Sequence, residues 1–194
     1  MNRLNKIPAV ATRALFWLLL VVCVSIPRPL ASAKGGNCEA AEGVLDNFSR
    51  TLPPRPVTDK PFTDKDGRLV TLSQYRGRGV VLNFWATWCA PCVLEMPQLD
   101  RLRKILLPYG VEVLALSEDR GGVPVAEKFY RKKGLKNLGI FIDSGGKVIR
   151  GSKILGLPTT LLIDRQGQEV GRVTGVAEWD SDRTIAFIRR CLKP

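Results

Sequence analysis

Residues 79–92 read GVVLNFWATWCAPC. The first seven, Gly79 to Trp85, are largely apolar and rich in β-branched side chains, the pattern of a strand buried on both faces. Beyond Cys92 the apolar residues Val93, Met96, Leu99, Leu102 and Leu106 fall at helical spacing, with Pro97 expected to kink the helix. Two cysteines three apart therefore sit where a strand gives way to a helix. In a first helical turn such a pair shares a face and can close a disulfide, while unpaired N–H groups and the helix dipole favour negative charge on the first sulfur. Cys89 is the expected nucleophile, ionising more readily than a free cysteine of pKa about 8.5. Cys92, one turn further in, is the expected resolving thiol.

Other uses of the pair fit less well. A zinc site would need further ligands, but the chain has no histidine, and outside the leader its other cysteines are the distant Cys38 and Cys191. A purely structural bridge gains little from closing so short a loop. The absence of histidine also removes Ser-His-Asp triads, Cys-His dyads and imidazole proton shuttles, which leaves acid–base work to carboxylates, lysines, tyrosines or thiols. Neither a metal nor a cofactor is expected.

Working outward, Cys38 to Leu52 has apolar spacing compatible with a short helix, stopped by Pro53-Pro54-Arg55-Pro56. Residues 62–72 read as two short strands around the turn signal Asp66-Gly67. Val111 to Leu116 is a second buried strand, completing a β-α-β unit with the first. Val123 to Lys133 is expected as a helix, Gly139 to Ile142 as a strand, and Gly145 to Ile154 as a helix. Thr159 to Asp164 and Glu169 to Thr174 form a hairpin around Arg165-Gln166-Gly167, and Asp180 to Leu192 closes the chain as a helix.

The chain has 194 residues, 45% of them hydrophobic and 25% charged, a globular composition sufficient for one domain and a leader. That leader has the three parts of an export signal: the basic residues Arg3, Lys6 and Arg13, an apolar run from Ala14 to Ile26, and Ala31-Ser32-Ala33 as a cleavage site. The run is short of the ~20 residues a spanning helix needs, which favours removal, although weakly polar flanks leave a retained signal anchor open. Cys23 follows the bulky Val22, against a lipoprotein signal. Either way the remainder is expected outside the cytoplasm, where disulfides persist. Formal charge is +12; with the leader's four cations set aside, 26 cations face 18 acids, a moderate and scattered excess without a nucleic-acid recognition motif.

The run VVLNFWATWCAPC, the following Glu95-Met96-Pro97 and GLPTTLLID at Gly156 to Asp164 together resemble the thioredoxin superfamily, specifically its exported TlpA/ResA/CcmG-type thiol-disulfide oxidoreductases. The resemblance covers about residues 57–192, and GVAEWDS at Gly175 to Ser181 further resembles the TlpA branch, many of whose members are membrane-anchored. It implies an α/β thioredoxin-like fold: a central mixed sheet flanked by helices, preceded here by an N-terminal helical extension and a β-hairpin. Residues 1–33 are then signal peptide or anchor, 34–56 extension and linker, and 57–194 the thioredoxin-like domain.

The resemblance also implies roles. Pro158 takes the place of a cis proline lying against the cysteines. Lacking an N–H it cannot extend a ladder, which leaves the backbone of Leu157 for an extended substrate peptide; Thr159 is either a substrate contact or an ordinary strand residue. Trp88 is expected as a shield and contact surface, Trp85 as core. Asn83 stands where thioredoxins carry a buried aspartate, and Glu95 matches the buried glutamate of the ResA-like branch; its alternative is a solvated surface position.

The expected function is reduction of partner-protein disulfides in the periplasm, the protein being soluble after cleavage or held by its N-terminus. Family customers are apocytochrome c or cytochrome oxidase copper-site assembly proteins, with a membrane thiol-disulfide electron donor and no nucleic acid. A peroxiredoxin reading fails because Ala86 stands where a TxxC pattern needs threonine. A dithiol module delivering Cu(I) is the non-enzymatic alternative, with Met96 the only other soft ligand nearby. Finally, parity in an oxidising compartment suggests that Cys38 pairs with Cys191, two free thiols being the alternative.

Overall fold

The computed structural model describes Cys38 and residues 44–193. The leader expected over residues 1–33 lies outside them. Among the described residues no helix is long and apolar enough to cross a membrane.

Eight strands form one mixed sheet. Four pair around its centre: β4 (Gly79–Trp85), β5 (Val111–Ser117), β7 (Thr159–Ile163) and β8 (Gln168–Thr174). The others are β1 (Phe48–Pro56), β2 (Phe62–Asp64), β3 (Leu69–Val70) and β6 (Phe141–Ile142), and the spatial order is β1-β8-β7-β4-β5-β6-β2-β3. β4 runs parallel to β5 and antiparallel to β7, and every residue of β4 and β5 is buried, the polar Asn83, Glu112 and Ser117 included, as expected of largely apolar central strands.

Alternation along the strands divides the core in two. Val81 and Trp85 of β4, Val113 and Ala115 of β5 and Leu162 of β7 face one side, against Met96, Leu99 and Leu102 of α1 (Ala90–Leu106), Tyr130 of α2 (Gly122–Lys133) and Phe187 and Ile188 of α4 (Asp182–Cys191). Val80, Leu82 and Phe84 face the other, with Leu114, Leu116 and Val148 of the short α3 (Lys147–Gly151). α1 continues through Pro97. α4 starts at Ser181, whose hydroxyl accepts from the Thr184 N–H at 3.3 Å. The hairpins around Asp66-Gly67 and Arg165-Gln166-Gly167 form as expected.

One expectation is corrected. Residues 48–52 are not the end of a helix: Phe48–Pro56 is strand β1, antiparallel to β8 at the sheet edge. Three prolines fit there because an outer edge needs no N–H donors, and the register shifts between Arg50 and Arg55 around them. Arg55 and Arg172 both grip the buried Glu169 carboxylate, at 3.0 and 2.7 Å, which fastens β1 to β8. Residues 39–43 of the proposed helix lie outside the described residues.

Candidate active site

β4 delivers the chain to Ala86–Trp88, and α1 leaves from Cys89. The turn between them is held by Asp119, just past β5, whose carboxylate accepts from the Thr87 N–H at 3.0 Å and the Thr87 hydroxyl at 2.7 Å. Cys89 is the N-cap of α1, and its sulfur accepts from the Cys92 N–H at 3.3 Å. A sulfur in that position meets the positive end of the helix, and a thiolate there would be stabilised. Cys89 and Cys92 are joined as a disulfide; Cys89 is 6% exposed and Cys92 fully buried.

Trp88 projects outward, 70% exposed, while Trp85 lies wholly in the core. A cavity of about 630 Å³ opens beside Cys89, walled by Trp88, Pro91, Glu118, Ile154, Leu155 and Leu157. Leu155 is fully exposed on its rim. The Leu157–Pro158 peptide is cis, and the ladder of β7 begins only at Thr159, so Leu157 stands outside it. Pro158 itself is buried. Thr159 is 3% exposed and its hydroxyl donates to the Gly156 carbonyl at 2.8 Å, so it shapes the loop and does not face the cavity.

Behind the cysteines, Glu95 is 2% exposed. Its carboxylate accepts from the Asn83 amide at 2.8 Å and the Trp179 indole N–H at 2.9 Å. Burial pushes the carboxyl up to about 7, against the opposing pull of Trp179, Asn83 and the Ala177 N–H. Glu95 also lines a second cavity of about 700 Å³, with Asp46, Leu94, Gln98 and Glu178, separate from the groove beside Cys89. Of the expected site residues, Trp88, Cys89 and Leu157 share one cavity, while Glu95 lies buried one helical turn beyond Cys92 on α1, bonded to Asn83 and Trp179.

Trp179, Asp119 and Glu118 were not foreseen as members of the site. Glu118, just past β5, is pushed up to about 8 by burial and by the neighbouring Asp143, with Arg150 opposing. No local pattern links these residues to the cysteines; they arrive through the sheet and the chain leading into α4.

A cysteine pair at the start of a helix that follows a central strand, facing a cis-proline loop, defines a thioredoxin-like protein. The AhpC/TSA family model matches residues 53–169, and the chain belongs to that family. It is 38% identical over 113 residues to "Thiol-disulfide oxidoreductase ResA" of Bacillus thuringiensis subsp. konkukian (strain 97-27), which is 58% of this chain and 64% of that protein's length. To the protein of the same name from Geobacillus kaustophilus (strain HTA426) it is 40% identical over 132 residues, 68% of this chain and 75% of the relative. The crystal structure of a putative thiol:disulfide interchange protein DsbE from Chlorobium tepidum superposes with a TM-score of 0.61 at 27% identity, covering 74% of this chain and 99% of that one.

Proposed function

We propose that this chain is an exported thiol-disulfide oxidoreductase that reduces disulfides in partner proteins. One observation carries the reading: Cys89 caps α1 at the mouth of an apolar groove, while Cys92 and Glu95 lie buried one and two helical steps behind it. In the dithiol form the Cys89 thiolate attacks one sulfur of a partner disulfide, forming a mixed disulfide and releasing the partner's other sulfur as thiolate, which takes a proton from solvent. Cys92 then gives its proton to the Glu95 carboxylate and attacks the Cys89 sulfur. The bond to the partner breaks, the released second thiolate takes a proton from solvent so that the partner leaves with both thiols, and the Cys89–Cys92 disulfide closes, the form present here. Two electrons have passed to the partner. Glu95 returns its proton when a membrane thiol-disulfide donor restores the dithiol.

Trp88, Leu155 and Leu157 offer apolar surface to the residues flanking the partner's cysteine, and the backbone before β7 offers an extended peptide its hydrogen bonds. Ala90-Pro91 places no cation between the cysteines, so helix capping alone stabilises the thiolate, which favours the reducing direction. The names of the relatives, thiol-disulfide oxidoreductase and thiol:disulfide interchange protein, support disulfide-bearing proteins as partners; apocytochrome c or cytochrome oxidase copper-site assembly proteins in the periplasm are the partners we propose from the family resemblance of the CxxC and cis-proline segments.

The test is trapping in the native host. Cys92→Ser should accumulate a mixed disulfide through Cys89, Cys89→Ser should accumulate none, and the wild-type dithiol should reduce the captured partner. Adducts on Cys89→Ser in place of Cys92→Ser would reverse the assignment. A wild-type protein that only oxidises the partner would overturn the direction.

A further inference from the structure

The cations expected to be scattered are gathered in part at the pole opposite the cysteines. β4 and α1 both point their Cys89 ends one way. Their far ends are Gly79 and Leu106, and α1, with 17 residues, puts about 25 Å between the cysteine end and this far end. At the far end a chain of contacts draws several segments together. Arg76 lies against Gly167, and the Arg165 guanidinium against Gly110. The Arg189 guanidinium sits 3.7 Å over the ring of Tyr109, the residue before Gly110. Leu192 packs on Gly79, and Cys191 beside it is bonded to Cys38.

The character of this pole is amphipathic. Arg76, Arg78, Arg189, Arg190 and Lys193 are exposed, and Tyr109, Arg189, Arg190 and Lys193 share one cavity of about 410 Å³. Ile105, Leu107 and Tyr109 are 37%, 44% and 48% exposed beside them. Among the described residues, two acids on the neighbouring segments are buried and engaged: Glu112 is paired with Arg103 and Arg78, and Asp164 accepts from the N–H groups of Gln166 and Gln168. Cations around an exposed aromatic and aliphatic patch form the chemistry of a lipid–water interface, where apolar side chains enter the headgroup layer and cations meet lipid phosphates. The chain joins this same pole at Cys38, twelve residues after its apolar run ends at Ile26.

We propose that the pole built from Tyr109, Arg189 and Lys193 docks on an anionic phospholipid bilayer, with the Cys38–Cys191 disulfide fixing the N-terminal chain there, so that Cys89 faces away from the membrane. The inference stands on geometry and charge, independently of the direction of electron flow.

The experiment reconstitutes the full chain with vesicles of phosphatidylcholine alone, or with one part in three phosphatidylglycerol, and follows amide hydrogen exchange. Peptides covering residues 104–111 and 186–193 should be protected only by phosphatidylglycerol, and 1 M salt should release them. Arg189→Gln with Lys193→Gln should lower the docking constant about fivefold per cation, hence about 25-fold. After reduction of the Cys89–Cys92 pair with the buried Cys38–Cys191 bond left closed, Cys89 alkylation should be the same as in the wild type, which shows the variant folded; if it does not fold, the salt dependence of the wild type decides. Equal protection on phosphatidylcholine, or protection at Trp88–Pro91 instead, overturns the proposal. So does a single-stranded oligonucleotide that protects the same peptides as strongly as the anionic vesicles, which would make the pole a nucleic-acid surface.

Discussion

Glu95 is held by donors. The Trp179 indole N–H and the Ala177 backbone N–H can only donate, and the Asn83 amide is turned to donate both to Glu95 and to the Thr160 hydroxyl, at 2.8 and 2.9 Å. The Asn83 carbonyl oxygen is buried and has no partner. An aspartate here would set a second charge beside Glu95, whereas an amide is neutral and can turn its oxygen toward a protonated Glu95. The raised pKa has a stability consequence with a definite sign. A carboxyl at about 7 when folded, against an ordinary 4.5, contributes stability that is full below 4.5 and lost as pH rises through 7. Glu95→Gln does not titrate. Relative to this variant, the wild type should lose on the order of 3 kcal/mol between about pH 4.5 and pH 8.5. Thermal unfolding of both disulfide forms across that range checks it, and a pH-independent difference between their melting temperatures would contradict the burial of an ionisable Glu95.

Among the elements, β4 and α4 depend on each other at a single glycine. A Cβ on Gly79 would meet the Leu192 Cβ at 2.7 Å and the Leu192 carbonyl at 3.2 Å, so α4 can seat its end on the sheet only because that side chain is missing. Gly79→Ala should destabilise the fold by about 1–3 kcal/mol. Chemical denaturation should show it, with Cys89 reactivity in the native state unaltered, because the clash is at the opposite end of β4. What could be read from sequence follows the same logic of local and distant contacts. β4, β5, α1 and the β7–β8 hairpin were legible because periodicity, apolar runs and turn residues lie within each segment. β1 was not: Val44, Leu45, Phe48 and Leu52 fit a helical face, and only pairing with β8 makes Phe48–Pro56 a strand. In the site, the cysteines carry their own strand–helix context and Glu95 sits on the same helix. Trp179 and Glu118 owe their positions to packing between segments remote in sequence, which no local pattern records.

The whole molecule is closed by the Cys38–Cys191 disulfide, which spans 153 residues. In the chain-entropy description, a loop of that length stabilises the folded state by about 5 kcal/mol. Cys38→Ser together with Cys191→Ser should lose a comparable amount in denaturant unfolding, and a loss under 1 kcal/mol would mean that the unfolded chain is hardly restrained by the bond. The active pair needs no such staple. Cys89 and Cys92 are brought together by one helical turn, and they should cycle between dithiol and disulfide while the distant bond stays intact.

The two bonds are nested, Cys38 to Cys191 outside and Cys89 to Cys92 inside. A chain threaded through a membrane from its N-terminus presents these cysteines in the order 38, 89, 92, 191. An oxidase that joins cysteines as they emerge would couple Cys38 to Cys89 and strand the other two. Native pairing therefore requires Cys38 to wait, unpaired, until nearly the whole domain has been exported, or an isomerase to undo the first bond. On the proposed export route, the yield of natively paired protein should thus depend on disulfide isomerisation in a way that the yield of a variant lacking Cys38 and Cys191 does not.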